Sequence, residues 1–444
     1  MSAPAHARPG DEDIAVLDER PRQSALPRSR PRHLWWWSVL LIVPYLVLGL
    51  SWVFSNPPGA APDEGDHLVK ALGVARFDIG TTYLGPPTGP SKAQSRNASI
   101  ARVVKIPRAL DPKGFHCFAF QSAVSAACLP SSDSGVTGTV ARYTPMGAYP
   151  PFVYLPIGAA ALTAPNPARA FYLGRLAVLA MSSGLLLLGV SYLLRWVGAA
   201  AVVGMVVAIT PMAAFCFSIL STSGVELAGA LAVSCVAAVA LVRPQSVLSR
   251  SAHLTLAIAG SALVLSRQMG VVVCGVLVLL TLFAAGPGIV RRLLKEHRPT
   301  FFVAVIALLS SVAAITWWER SFDHPNQLGS PLDFGAWQGF LYDAPVTMET
   351  AVGKFGWLDT PLPTWAIIVW TTVAATLVGA ALLLERWRSR TVILTLVAVT
   401  AVVSYVTYAV VFHPVSAFLQ GRDVLALFIG VPVIAGVVLT SRLA

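Results

Sequence analysis

Leu34-Trp-Trp-Trp-Ser-Val-Leu-Leu-Ile-Val-Pro-Tyr-Leu-Val-Leu-Gly-Leu-Ser-Trp-Val-Phe54 carries no charged side chain. As a helix rising about 1.5 Å per residue, it is long enough to cross the ~30 Å hydrocarbon layer of a bilayer. Its apolar run exceeds the ~7–15 residues usual in a cleaved signal peptide, and it follows residues 1–33, so it reads as a retained first span. Further uncharged stretches lie at about 171–194, 198–219, 224–242, 252–266, 269–287, 300–318, 363–384, 391–412 and 423–441. With the first, they predict ten spans.

The composition agrees. Lys and Arg number 32 and Asp and Glu 21 among 444 residues, so 12% of positions are charged while 55% are hydrophobic. A soluble domain has about a quarter of its residues charged, so an ordinary soluble enzyme is excluded, as are a disordered chain and a collagen-like repeat. The expected fold is an all-α polytopic transmembrane helical bundle. Short loops rich in Lys and Arg stay on the cytoplasmic side. Arg28, Arg30 and Arg32, then Arg195, then Arg243 and Arg250, then Arg291, Arg292, Lys295 and Arg298, then Arg386, Arg388 and Arg390, and last Arg442, mark that side. Both termini are therefore expected in the cytoplasm. Because the loops at 243–251 and 288–299 are both basic, the segment between them must cross an even number of times. It is expected to form a short hairpin turning near Arg267 and Gln268.

This topology divides the chain into a disordered cytoplasmic tail, 1–33, too poor in large apolar residues to order itself, and a membrane domain, 34–444. A first outer loop covers 55–170, a second 319–362, and a short one 413–422. The net charge of +11 is explained by cytoplasmic loops facing anionic lipid rather than by nucleic acid. Of the five cysteines, Cys216, Cys235 and Cys274 fall in or near spans, where a thiol acts as a small apolar filler. Cys117 and Cys128 share the first outer loop, where an oxidising compartment would favour a disulfide; two unpaired thiols are the other reading.

Chemistry is expected in these outer loops. In Pro57-Pro-Gly-Ala-Ala-Pro-Asp-Glu-Gly-Asp-His67, a helix starting near Pro62 puts Asp63, Asp66, His67 and Lys70 on one face. Asp63 and Glu64 then either cap that helix or present a carboxylate that takes a proton from an acceptor hydroxyl. Tyr149-Pro-Pro-Phe-Val-Tyr154 is either an interfacial anchor or a wall for a lipid-linked substrate or a sugar. Arg175, Glu226, Arg267 and Arg422 stand at a similar depth on the outer side. They either gather around a phosphate or pair among themselves, Arg175 with Glu226 and Arg422 with Asp423. Lys354 and Trp357 stand out in the second outer loop as a phosphate contact and a stacking ring. There is no Walker loop, dinucleotide glycine fingerprint or nucleophile elbow, and no zinc-like spacing.

Pro62-Asp63-Glu64-x-x-His67, Tyr149-Pro150-Pro151-x-x-Tyr154, Gly353-Lys354-Phe355-Gly356-Trp357-Leu358-Asp359 and Gln420-Gly421-Arg422 occur in this order. Together they resemble a bacterial multipass membrane family known only as a domain of unknown function, which is similar to the GT-C class of integral-membrane glycosyltransferases. The resemblance covers roughly 35–442. It implies inverting transfer from a polyprenyl-phosphate-linked sugar to a glycan or lipid acceptor at the outer face of the bacterial plasma membrane, for assembly of the cell envelope. Asp63 is the first choice as general base and Glu64 the second. Asp66 adds a third carboxylate near the candidate base, so the choice of base among these acids stays open. The three could hold a divalent cation such as Mg or Mn through oxygen ligands, although the transfer does not demand one. Asp423 departs from the family's look, in which an aromatic commonly follows the Arg. The competing readings are a transporter or flippase for a lipid-linked sugar, and a non-catalytic membrane partner presenting the 55–170 loop.

Overall fold

A computed structural model describes residues 31–80, 82–83, 100–131, 136–296, 298–321 and 330–441. Most of the expected tail lies outside them, as do Arg28, Arg30, Asp323, His324 and Arg442. The first apolar run forms α1 (Pro31–Ser55), beginning at Pro31 rather than Leu34. After a turn at Asn56–Asp63 comes α2 (Glu64–Val74). A small antiparallel sheet follows in the order β1 (Thr82–Tyr83), β2 (Arg102–Pro107), β3 (Thr139–Thr144), with Val103 opposite Tyr143. Its β2 residues Val104 and Ile106 are fully buried. They alternate with outward-facing neighbours, as a half-buried strand requires. Cys117 and Cys128 are joined by a disulfide between these strands.

The chain then becomes almost wholly helical: α3 (Tyr154–Leu162), α4 (Pro167–Trp196), α5 (Val202–Ala208), α6 (Pro211–Cys216) and α7 (Ser223–Val242). α8 (Arg250–Thr255) runs through a π-helical segment, Leu256–Gly260, into α9 (Ser261–Ser266). Then come α10 (Gly270–Ala285), α11 (Pro287–Lys295), α12 (Pro299–Ser321) and α13 (Phe334–Gly353). A hairpin of β4 (Lys354–Phe355) and β5 (Thr360–Pro361) leads to α14 (Thr364–Leu384). α15 (Trp387–Thr407) continues into a second π-helical segment, Tyr408–Phe412. The last elements are α16 (Gly421–Phe428) and α17 (Gly430–Thr440).

The architecture is a polytopic helical bundle, but fewer than ten of the expected spans are single helices long enough to cross. Among the described residues seven helices are long and apolar enough to cross a membrane, or eight if α10 and α11 count as one broken span. The three expected spans that fall short do so for visible reasons. The stretch 198–219 is broken before Thr210-Pro211, since proline cannot donate the next helical hydrogen bond and restricts the residue before it. The stretch 252–266 ends at Ser266 after its π-helical segment, and the chain turns at Arg267–Met269. α10 ends at Gly286, whose φ of 81° admits glycine most readily, and α11 leaves at 102° to it. Ile289 and Leu293 of α11 are buried, while Arg291, Arg292 and Lys295 are exposed.

At the centre stands α7, buried from Ser223 to Ala240. Its small residues let neighbouring backbones approach closely. A Cβ on Gly229 would lie 2.9 Å from the Ala259 carbonyl oxygen of the helix beside it. α4, α10, α16 and α17 pack around it.

One buried ion pair fixes how the first outer segment sits on this bundle. Arg175 of α4 donates through Nε to Glu64 Oε1 (2.7 Å) and through Nη2 to Glu64 Oε2 (2.7 Å). Its remaining donors reach the carbonyls of Val53 (3.0 Å), Asn56 (2.7 Å) and Pro57 (2.8 Å). Glu64 also accepts from Gly59 N (3.1 Å) and Leu220 N (3.0 Å). Both side chains are fully buried and fully satisfied. Arg175→Met would leave Glu64 buried without its cation and should cost about 3–5 kcal/mol. Adding Glu64→Leu should restore part of that loss, as read by denaturant unfolding of the purified protein. A double variant as unstable as Arg175→Met alone would show that the orphaned carboxylate is not the cause.

Candidate functional site

Asp63 is the hinge of the site. It takes a left-handed backbone (φ 59°, ψ 13°) immediately before α2, and its side chain makes no capping hydrogen bond. Such a conformation costs an ordinary L-residue about 1–2 kcal/mol, and Asp is among the few that visit it. The turn sends Glu64 into the bundle toward Arg175 and leaves the neighbouring carboxylate of Asp63 facing Arg422, with Oδ2 3.5 Å from Nη2. Two adjacent acids are thereby given opposite environments: Glu64 fully buried, Asp63 with 38% of its side chain exposed.

Asp66 and His67 follow in the first turn of α2, which starts at Glu64 rather than near Pro62 and so leaves Asp63 off the helical face it was expected to share. Burial, and then the neighbouring charge of Asp63, push the Asp66 carboxyl up to about 7. His67 is buried beside Tyr154, with Nδ1 2.6 Å from the phenol oxygen. Burial first, then the charges of Arg422 and Arg267, hold its imidazole well below the usual histidine range, so it is neutral. Lys70, the fourth residue of the expected face, is structural: it donates to the carbonyls of Ile79 (2.8 Å) and Gly147 (3.0 Å) and lies over the Trp318 ring.

Pro145–Ala148 forms a short 3-10 turn that delivers Tyr149, whose ring edge meets His67. The Ala148 carbonyl accepts from Trp318 Nε1 (3.0 Å) and Gln268 Nε2 (3.2 Å), which ties this turn to α12 and to the turn after α9. That turn places Arg267. Its Nη2 donates to the Tyr149 hydroxyl (3.1 Å), and its Nη1 donates to Asp423 Oδ1 (2.9 Å) and stands 3.5 Å from Glu226 Oε2. Gly421 lets α16 approach the end of α13, because a Cβ there would lie 2.0 Å from Ala351 N. The next residue, Arg422, is thus brought to Asp63.

The structure therefore brings together Asp63, Asp66, His67, Tyr149, Tyr154, Glu226, Arg267 and Arg422. Four expected contacts turn out otherwise. Arg175 pairs with Glu64, not Glu226, and both are withdrawn into the ion pair below α2. Arg422 pairs with Asp63, while Asp423 turns to Arg267. Lys354 is paired with Glu349 at 3.3 Å. Trp357 donates to the Gly59 carbonyl (3.0 Å) and meets Phe120 edge-on, so it braces the turn ahead of α2. Asp63, Glu64 and Asp66 do not make a divalent-cation site together, because every acceptor position of Glu64 is taken. Among the described residues no group of three or more His, Cys, Asp or Glu side chains could hold a metal ion. Trp318 and the turn-fixing role of Gln268 had no sequence signal, since the Trp318 partner lies 170 residues away.

Beside the polar cluster, an open apolar groove of about 500 Å³ runs between α3, α4, α7 and α9. Phe152, Pro156, Met181, Leu185, Leu188 and Leu265 line it, and Val225, next to Glu226, reaches its wall.

The profile of a family described as "Predicted membrane protein (DUF2142)" matches residues 46–431, most of the chain and all of the site. No curated protein and no solved structure matches the chain.

The raised Asp66 carboxyl has a measurable sign. Between the ordinary aspartate range near 4 and about 7, the folded state holds a proton that the unfolded state has lost, so stability falls as pH rises through this window. Asp66→Asn removes this slope. The melting temperature of Asp66→Asn relative to the unmodified protein should rise from pH ~4 to ~7 and stay level above; a flat difference would mean that Asp66 ionises freely.

Proposed function

The chain belongs to the DUF2142 family of predicted membrane proteins, and we propose that it is an inverting glycosyltransferase using a polyprenyl-phosphate-linked sugar as donor. The observation that carries this reading is the juxtaposition of Asp63 and Arg422 at 3.5 Å, beside Arg267 and next to an apolar groove. Transfer from a phosphate-linked sugar needs a carboxylate at the acceptor hydroxyl and cations at the departing phosphate. The acceptor oxygen attacks the anomeric carbon from the face opposite the phosphate. Asp63 takes the hydroxyl proton, the bond from the anomeric carbon to the phosphate oxygen breaks, and its electron pair leaves with the phosphate. Arg422 and Arg267 stabilise that charge; planar guanidinium groups suit phosphate oxygens.

The neutral His67 and Tyr154 form an uncharged wall beside Asp63, and Tyr149 offers a face to the sugar. Asp66, held protonated by its surroundings up to about pH 7, supplies a hydrogen-bond donor to a substrate oxygen. The groove at Phe152, Met181 and Leu265 takes the first part of the lipid chain. Glu64 acts by position, holding α2, rather than as a base. The basic segments at 243–250 and 291–298 cluster at the other end of the bundle, where Arg298 bonds the Leu248 carbonyl and Arg292 bonds Gln245. By the retention of Lys and Arg loops in the cytoplasm, the Asp63 end faces outward across the plasma membrane, with both termini inside.

A transporter or flippase for the same class of lipid is the second reading, supported by the carboxylates Glu226 and Asp423 inside helices long enough to span.

Purified protein in nanodiscs, given polyprenyl-phosphate-linked radiolabelled pentoses and hexoses with crude envelope acceptor, should transfer label. Asp63→Asn should lower turnover by about 10²–10⁴-fold with donor binding retained. Arg422→Ala and Arg267→Ala should raise the donor concentration needed far more than Arg388→Ala does. Near-full turnover by Asp63→Asn would remove it as the base. Protein-dependent movement of labelled lipid across vesicles, with no transfer, would favour the transporter.

A further inference from the structure

Arg267 is asked to neutralise two acids. Asp423 Oδ1 and Glu226 Oε2 approach the same Nη1 atom, at 2.9 and 3.5 Å. The next cation, Arg422, is turned toward Asp63. One carboxylate charge is therefore left over inside the bundle, where leaving it uncompensated is costly. Glu226 is 3% exposed, and its Oε2 is buried with no hydrogen-bond partner.

A nearly enclosed cavity of about 20 Å³ touches both acids. Ser404 and Thr407 of α15 face it from the other side, with Met269, Val273 and Leu427 closing it. That volume accommodates roughly one water-sized body. Ser404 Oγ donates its proton to the Thr400 carbonyl (2.7 Å), which leaves its lone pairs for another ligand. Directly after Thr407 the helix widens into the π-helical segment Tyr408–Phe412, a distortion that recurs at functional sites in helices.

We propose that this cavity binds a sodium-sized monovalent cation, ligated by the carboxylates of Glu226 and Asp423 and the hydroxyls of Ser404 and Thr407. Hard cations take oxygen ligands of this kind, and a single positive charge balances the single uncompensated carboxylate. The small volume disfavours potassium, which needs longer contacts. Bound there, the ion would hold α15 against α7 and α16 and leave Arg267 free to engage an anion. The site stands on charge and volume alone and does not depend on sugar transfer.

The test uses the full chain in detergent or nanodiscs, with NaCl replaced by KCl or choline chloride at constant ionic strength. The melting temperature should rise saturably with Na⁺ and much less with K⁺, and ²²Na⁺ should bind with the same midpoint. Ser404→Ala and Thr407→Val, which keep the acids and the fold, should each raise that midpoint by at least about tenfold; Glu226→Gln should abolish the response. Identical melting in Na⁺, K⁺ and choline, as a water or a proton on Glu226 would give, overturns the proposal. So does a Ser404→Ala, Thr407→Val double variant that keeps the original Na⁺ midpoint.

Discussion

The contact between Arg175 and Glu64 governs the rest of the molecule. Five guanidinium donors meet two carboxylate oxygens and three main-chain carbonyls from the end of α1. A buried pair is not by itself a strong source of stability, because removing two charges from water costs about as much as their attraction returns. Its value here is geometric. The carbonyl of Val53 belongs to the last turn of α1, where helix geometry leaves acceptors unpaired, those of Asn56 and Pro57 follow directly, and Arg175 gathers all three. The direction in which α2 leaves the bundle follows, and with it the placing of Asp63, Asp66 and His67.

The same contact explains why adjacent acids have unlike fates. A continuous helix through Asp63 and Glu64 would put them 100° apart on one surface, both near solvent. The left-handed residue at Asp63 breaks that relation, so that one acid is sealed beneath α2 and the other meets Arg422. Elsewhere the site is assembled from turns rather than helix faces. Arg267 comes from the turn after α9, Tyr149 from the proline-rich turn before α3, and Arg422 from the first turn of α16. Each turn is tied to another by a hydrogen bond, as at the Ala148 carbonyl, so loops normally free to move are held by the bundle.

Much of this was legible in the chain itself. Long uncharged runs marked the seven helices able to span, and the paired basic loops required the turn at Arg267 and Gln268. The helical spacing put Asp66, His67 and Lys70 together on α2, but Asp63, expected as the first member of that face, stands outside the helix in a left-handed turn. Partner choice was not legible, because an arginine's position says nothing about which of several acids its side chain meets; Arg175 and Glu64 are 111 residues apart. Nor was the span count, since apolarity marks a segment as buried without saying whether proline at 211 or glycine at 286 will break it. Lys70 read only as a fourth residue on the face of the acids, whereas packing over the Trp318 ring made it part of the interior. The small sheet had only a six-residue signal in Arg102–Pro107, short for any periodicity argument.

The bend at Gly286 sets α11 across the axis of the helix before it, with Ile289 and Leu293 turned inward and Arg291, Arg292 and Lys295 outward. A segment so arranged belongs neither to oil nor to water and settles at the boundary of the two. Resting at such a boundary, it would moor one end of the bundle to the lipid headgroups, its cations turned toward whatever negative charge they carry.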